Sequence, residues 1–297
     1  MKILITGATG LVGTDLVKKL RERNHDVNIL VRRKTGAQNE FIWNQKKGEI
    51  DESAFDGIES IIHLAGASVG KKWTENYKKE LYSSRIDTAH LLFKTCKKLN
   101  LKLKSFIIAS GVNYYGTYTS DEILTETDSV QHQDFLSQLS VAWENSADEF
   151  QSVAERIVWL RTAVVLSNKG GSFPLLKKLT DFNFGSAIGS GKQWMNWIHL
   201  EDLVNMYILS VENTAISGKY NAVADEIPTN KEFMQKLAKS SNKFFLPINA
   251  PAFAVKLVMG EMSEIILEGT RASNLKIKNA GFEFKYKTLN QAFEDLV

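Results

Sequence analysis

The chain has 297 residues, of which 43% are hydrophobic and 24% are charged, as in an ordinary globular protein. The formal net charge of +3 is small and the cationic residues are dispersed, which gives no indication of a nucleic-acid partner or an anionic membrane surface. Cys96 is the single cysteine, so an intramolecular disulfide is excluded, and the five scattered histidines form no metal-ligand pattern.

No segment reaches the roughly 18 apolar residues that a membrane-spanning helix needs. The apolar run at the N-terminus is too short for a signal peptide and leads directly into a glycine loop. We therefore expect a soluble cytoplasmic protein without a membrane partner.

The first half of the chain alternates short apolar runs with segments whose apolar residues recur at helical spacing. This alternation predicts right-handed crossovers and a parallel, doubly wound sheet of the α/β class. The predicted strands are residues 2–6, 27–31, 60–64, 105–109 and 157–160, and the predicted helices are residues 11–23, 74–99 and 135–153.

The strand–helix rhythm stops after Leu166, where glycine-rich loops and then a mainly helical pattern follow. Ligands of open α/β sheets bind at the carboxyl ends of the strands. We interpret residues 1–168 with 195–222 as a cofactor-binding domain, and residues 169–194 with 223–297 as a smaller, mostly helical substrate-side lobe.

A glycine motif joins the first predicted strand to the first predicted helix. Gly7 permits a tight turn, Gly10 lets the backbone approach a pyrophosphate, and Gly13 lets the helix pack on the strand. The N–H groups at the start of the helix then face the phosphates. The motif predicts a Rossmann-type dinucleotide site formed by Gly7, Thr9, Gly10, Leu11, Val12 and Gly13.

The end of the second predicted strand indicates which dinucleotide binds. An acidic residue there would hold the ribose hydroxyls of NAD, but the chain has Arg32, Arg33 and Lys34 instead. Guanidinium groups pair well with a 2′-phosphate, so we predict NADP(H), bound first by Arg32 and second by Arg33. The alternative is a solvated basic turn.

The third predicted strand ends in His63-Leu64-Ala65-Gly66, where small residues let the backbone run beneath a cofactor. His63, Leu64, Ala65 and Gly66 are therefore candidate cofactor-binding residues. His63 could be catalytic, but packing beneath the adenosine side is the favoured interpretation.

Several segments together resemble the extended short-chain dehydrogenase/reductases, the superfamily of nucleotide-sugar epimerases. The resemblance narrows to an atypical, epimerase-like subfamily with its own C-terminal domain, and it covers essentially the whole chain. The segments that carry it are residues 7–13, 63–66, 72–74, 84–88, 109–110, 114–116, 143–144, 189–199, 260–262 and 280–282.

The resemblance implies NADP(H) binding, oxidoreductase or epimerase activity on a small molecule, and a cofactor-side position for Arg85. In the superfamily a tyrosine acts as acid/base, a lysine four residues later assists it, and a serine polarises the same substrate oxygen. Ser110 matches the serine, or else it only caps its own strand. Ser140 and Glu144 stand where the tyrosine and the lysine would be.

This departure leaves the proton donor open. Glu144 is either an acid/base group or, as we favour, a structural acid paired with an arginine such as Arg161. Tyr114 and Tyr115 follow Ser110 and are alternative phenols, or else they pack under the substrate lobe.

The remaining candidates form a substrate pocket or an apolar seam between the lobes, and the sequence does not separate the two interpretations. They are Trp73, Gln193, Trp194 and His199, with Lys72 and Lys192 beside them.

Three functions stay open on the sequence: an NADP(H)-dependent oxidoreductase with a non-standard proton donor, a nucleotide-sugar epimerase, and a non-catalytic NADP(H) sensor. The helices that form the superfamily's usual dimer face are charged here, so either a monomer or a homodimer is expected.

Overall fold

The computed structural model describes residues 1–297 and is built around one eight-stranded sheet in the order β12-β8-β6-β5-β1-β2-β3-β4. Every neighbouring pair in that sheet is parallel except β3 and β4. The strands are β1 (Lys2–Thr6), β2 (Asp26–Val31), β3 (Glu40–Asn44), β4 (Glu49–Ile50), β5 (Ser60–His63), β6 (Ser105–Gly111), β7 (Ile123–Leu124), β8 (Ile157–Thr162), β9 (Val164–Leu166), β10 (Ser186–Ile188), β11 (Trp197–His199), β12 (Gly218–Ala222), β13 (Leu246–Ala250) and β14 (Arg271–Ala272).

Helices cover both faces of the sheet and make up most of the chain after residue 226. None of them is long and apolar enough to cross a membrane. They are α1 (Leu11–Glu22), α2 (Glu75–Ser83), α3 (Ile86–Lys98), α4 (Phe135–Asn145), α5 (Phe173–Asp181), α6 (Leu200–Glu212), α7 (Asn230–Ser240), α8 (Ala252–Met259), α9 (Glu264–Leu267), α10 (Leu275–Asn279) and α11 (Leu289–Leu296).

Alternate residues of the central strands enter two separate cores. Ile3 and Ile5 point to the face covered by α1 and α6, whereas Leu4 points to the face covered by α3, where Cys96 is also buried. A third core, around Phe233 and Phe293, joins α5, α7 and α11 beyond the sheet. The sheet is therefore buried on both sides, as parallel sheets require.

The predicted α/β class, the doubly wound parallel sheet and the helical C-terminal region are confirmed. The prediction omitted three strands of the central sheet, β3, β4 and β12, and all the short strands outside it. The helix predicted over 74–99 is in fact two helices, because Arg85 turns its side chain inward to the carbonyl oxygens of Leu81 and Ala67. The helix predicted over 135–153 ends as α4 at Asn145, and a 3-10 turn, Asp148–Ser152, follows.

Candidate cofactor and active site

The turn between β1 and α1 has room only for glycine at two positions. Gly7 has a φ of 72°, and a Cβ there would lie 2.7 Å from the carbonyl carbon of Leu64. A Cβ on Gly13 would lie 2.2 Å from the backbone oxygen of Gly7. These contacts hold the turn tightly against the ends of β1 and β5.

The start of α1 presents free backbone donors at this turn. Gly10 is the N-cap and provides no side-chain cap, and the first turn contains no acidic residue. The N–H groups of Leu11, Val12 and Gly13 have no partner within the protein, and Thr9 is exposed beside them. A helix N-terminus of this kind binds phosphate, so the residues present fit the pyrophosphate of a dinucleotide.

The end of β2 presents two unpaired cations. Arg32 and Arg33 are exposed and lie in no ion pair. The turn that follows leads to Glu40 at the start of β3, which accepts hydrogen bonds from the Thr35 N–H (2.7 Å), the Thr35 hydroxyl (2.7 Å) and the Gly36 N–H (3.0 Å). These bonds, that of the Thr35 side chain first, lower the pKa of Glu40. Sequence reasoning missed Glu40 because it missed β3.

His63 is fully buried, with both ring nitrogens engaged. Nδ1 lies 2.7 Å from the Thr6 hydroxyl, which also accepts the Ala65 N–H at 3.2 Å. Nε2 lies 3.3 Å from the Arg85 carbonyl oxygen, which can only accept, so Nε2 carries the proton and Nδ1 accepts the Thr6 proton. Burial lowers the pKa of His63 to about 4. His63 packs beneath the 64–66 backbone and has no free group for proton transfer.

His63 makes the stability of the fold depend on pH. Its pKa is 6.5 when unfolded and about 4 when folded, so between these values only the unfolded chain takes up the proton. We expect the free energy of unfolding to fall by about 3 kcal/mol as the pH drops from 6.5 to 4, and this contribution to be fully present above pH 6.5. Urea unfolding at a series of pH values measures it. An unchanged slope in the His63→Asn variant would contradict the assignment.

Arg85 lies directly under Gly66. A Cβ on Gly66 would be 3.0 Å from the Arg85 guanidinium carbon, and Arg85 donates to the Leu81 oxygen (3.0 Å) and the Ala67 oxygen (2.9 Å). Its guanidinium also stacks on Trp143 at 4.8 Å, and burial lowers its pKa to about 10. Arg85 therefore positions the 65–67 backbone, and Gly66 leaves space for it.

A buried ion cluster closes the carboxyl end of the sheet. Arg161 makes a two-pronged contact with Glu144, with N–O distances of 2.8 and 3.0 Å, and Lys219 lies 3.0 Å from the same carboxylate. Burial lowers the pKa of Arg161, but the hydrogen bonds and charge of Glu144 more than offset this, and the pKa ends above its usual range. The ion pair between Glu144 and Arg161 is thus present, and Lys219 joins it from the unpredicted strand β12.

The Ser110 hydroxyl belongs to this cluster. Ser110, Arg161 and Asn221 lie side by side on β6, β8 and β12. Ser110 donates to Glu144 at 2.9 Å, so its proton is engaged and its lone pairs remain available. Ser140, in the place of the superfamily's tyrosine, is buried and makes no side-chain hydrogen bond.

The two neighbouring tyrosines have different surroundings. The Tyr115 hydroxyl is buried, donates to the Thr125 oxygen (2.8 Å) or the Asn221 side chain (2.9 Å), and accepts from Arg161 (3.0 Å). Burial raises the pKa of Tyr115 to about 12. Tyr114 is half-buried, its ring lies 3.5 Å from the Arg161 guanidinium carbon, and its hydroxyl contacts no protein hydrogen-bonding group.

The predicted pocket residues do not form one group. Trp73 packs on Phe135 at the start of α4, with 4.9 Å between the rings. Trp194 stacks under Arg271 at 4.4 Å and donates to Asp121. Gln193 is buried, and its amide donates to the backbone oxygens of residues 188 and 266.

His199 lies apart from these residues. It caps the N-terminus of α6, and its ring lies 3.7 Å from that of Tyr286. It borders a groove between α1, α6 and α11, together with Lys19 and Asp295. Nε2 of His199 also lies 3.3 Å from the Asp295 carboxylate, so the ring contacts both α6 and the C-terminal helix α11.

Comparison with known proteins places the chain in a known family. The model of the NAD dependent epimerase/dehydratase family matches residues 3–223, and a domain of unknown function, DUF1731, matches residues 250–296. An epimerase family protein of Staphylococcus aureus is 33% identical over 300 residues, which cover 99% of this chain and 98% of the relative.

Two solved structures extend the comparison. A human epimerase family protein, determined with NADPH, has a TM-score of 0.87 and 26% identity over 100% of this chain and 99% of its own. A nucleoside-diphosphate sugar epimerase of Corynebacterium glutamicum has a TM-score of 0.80 and 28% identity over 98% of this chain and 57% of its own.

Proposed function

Because the chain belongs to the NAD-dependent epimerase/dehydratase family, we propose that it is an NADP(H)-dependent oxidoreductase acting on a small carbonyl or hydroxyl compound. The observation that carries the proposal is that two candidate groups contact the same buried ion cluster. The Ser110 hydroxyl donates to Glu144, and the ring of Tyr114, whose hydroxyl has no hydrogen-bond partner in the protein, lies on Arg161. In this proposal residues 1–168 with 195–222 hold the cofactor, and residues 169–194 with 223–297 enclose the substrate.

The choice of NADP(H) is supported by charge at the end of β2. Arg32 and Arg33 are exposed and unpaired. Glu40 is the only carboxylate in residues 32–40, and it is occupied by hydrogen bonds from Thr35 and Gly36. A 2′-phosphate would meet two free guanidinium groups and no free acid. The human relative determined with NADPH supports the same choice.

We expect Arg32→Asp to weaken NADPH binding by about 10- to 100-fold, because it removes a charge-assisted contact and adds a like charge. NADH binding should change little or improve. Fluorescence titration with both cofactors measures this, and Lys47→Asp, at an exposed turn between β3 and β4, serves as the control. An Arg32→Asp protein with undiminished preference for NADPH would remove the basis of the assignment.

Each group in the site then has a defined task. When bound, the dinucleotide supplies the transfer of a hydride. Ser110 accepts a hydrogen bond from the substrate hydroxyl, since its own proton is held by Glu144. Tyr114 gives or takes the proton, with Arg161 and Lys219 above its ring providing positive charge. Glu144 is a positioning residue, because Arg161, Lys219 and Ser110 occupy its oxygens.

The test is NADPH oxidation by the purified protein against a panel of aldehydes, ketones and nucleotide sugars, after binding is established by titration. Turnover of any carbonyl class supports the proposal. Tight binding without net oxidation, but with interconversion of nucleotide-sugar epimers, would favour an epimerase. Tight binding with no reaction across the panel would favour a cofactor sensor.

A further inference from the structure

One continuous face of the C-terminal half is apolar and has no partner in the chain. Leu175 and Leu179 on α5 and Phe182 at its C-cap follow one another at helical spacing and are exposed, while Phe173 and Thr180 on the opposite side are buried. The chain then runs directly through Phe184 into β10. We call the surface of Leu175, Leu179, Phe182, Phe184, Phe244, Leu246 and Ile248 the α5–β13 face.

The small sheet continues the same face. β10 pairs with β13 in parallel, with Ser186 opposite Leu246, and the Leu246 N–H donates to the oxygen of Gly185, the residue after Phe184. Leu246 and Ile248 on β13 are exposed, as is Phe244 just before the strand, whereas Phe245 packs against the third core. α8 begins directly after β13 and has no buried residue.

The exposed area matches what a stable dimer buries. Phe182, Phe184 and Phe244 are 65%, 67% and 82% exposed. At about 200 Å² for each aromatic side chain, these three contribute about 430 Å², and the aliphatic residues bring the total to about 800 Å², the share of one partner in a standard interface. A monomer rarely exposes an apolar patch of that size.

The edge of β13 determines the kind of contact. The Leu246 N–H and the Ala250 oxygen both bond towards β10, so Pro247 lies on the outer edge, where it offers no N–H. A strand added at that edge would find no N–H to bond at Pro247, so its row of backbone hydrogen bonds would be interrupted there. The contact is therefore made by side-chain faces.

We propose that the α5–β13 face is the interface of a homodimer, in which two copies of this chain pack their α5–β13 faces together about a twofold axis. Lys177 and Asp181 pair with each other on α5 at 2.8 Å, and the exposed Lys178 and Lys243 have long aliphatic stems that can lie along the apolar surface while their amines stay in water. This proposal is independent of the catalytic one.

Light scattering coupled to gel filtration, over about 1–100 μM protein, tests it. Wild type should have twice the chain mass, and Phe184→Ser/Phe244→Ser should raise the dimer dissociation constant at least about 100-fold. Leu175→Glu/Leu179→Glu on α5 is a second variant with the same expectation. Leu275→Ser, an exposed leucine on α10 outside the face, should remain dimeric.

Circular dichroism spectra that match wild type, together with cooperative urea unfolding, establish that both double variants are folded. A wild-type monomer at every concentration, or a dimer that both double variants retain, overturns the proposal. A monomer that floats with phosphatidylcholine vesicles also overturns it and assigns the α5–β13 face to a lipid surface.

Discussion

We expect replacement of Glu144 by glutamine to lower the free energy of unfolding by about 3–5 kcal/mol. The variant keeps the shape of the side chain but leaves Arg161, which is completely buried, without its counter-charge. Lys219 is partly exposed and can turn towards water, but Arg161 cannot. Urea unfolding followed by circular dichroism measures the loss.

Two controls separate burial from charge. Glu52→Gln breaks a solvent-exposed pair with Lys98 and should cost no more than about 1 kcal/mol. Glu144→Leu/Arg161→Met removes both buried charges and should cost less than Glu144→Gln alone. Glu144→Lys, which places the superfamily's lysine at this position, should be the least stable variant because it adds a third cation. A loss below about 1 kcal/mol for Glu144→Gln would contradict the structural role.

Tyr114→Phe should reduce kcat by a factor of about 10² to 10⁴, the usual contribution of a positioned acid or base. The variant keeps the ring that stacks under Arg161 and removes only the hydroxyl, so stability should hardly change. Steady-state kinetics with the best carbonyl substrate of the panel measures the effect.

Tyr115→Phe is the matched control. Its hydroxyl bonds Arg161, Asn221 and the Thr125 backbone, so we expect a loss of about 1–3 kcal/mol in stability with a much smaller change in kcat. If instead Tyr114→Phe were fully active and Tyr115→Phe inactive, the two phenols would have to exchange roles.

The parts of the fold that could be predicted depend on local spacing. The turn of Gly7 and Gly13, the strand before it and the helix after it follow from a short motif, and the structure has them at the expected residues. The break between α2 and α3 could not be predicted, because the apolar spacing continues through it. What ends α2 is the inward turn of the Arg85 side chain, a tertiary contact.

Only part of the candidate site could be predicted from the sequence. Ser110, Glu144 and Arg161 were recognised, since strand ends and a familiar motif mark them. Lys219 was missed, because its part in the site depends on β12 lying beside β8, which only the order of strands in the sheet determines. The alternation of Lys219, Tyr220 and Asn221 was the available sign of an edge strand with one polar side.

The place of β12 also has a consequence for synthesis of the chain. Until residues 218–222 have been synthesised, β12 is missing and β8 would be the outer strand of the sheet. The backbone donors and acceptors along its outer edge would then have no partners. A chain that ends before residue 218 contains Arg161 and Glu144, but it lacks Asn221, a partner of Tyr115, and Lys219, a partner of the Glu144 carboxylate. A truncated or stalled chain would thus expose the unpaired edge of β8 next to most of the site residues. Intermediates with exposed strand edges tend to aggregate or to need a chaperone.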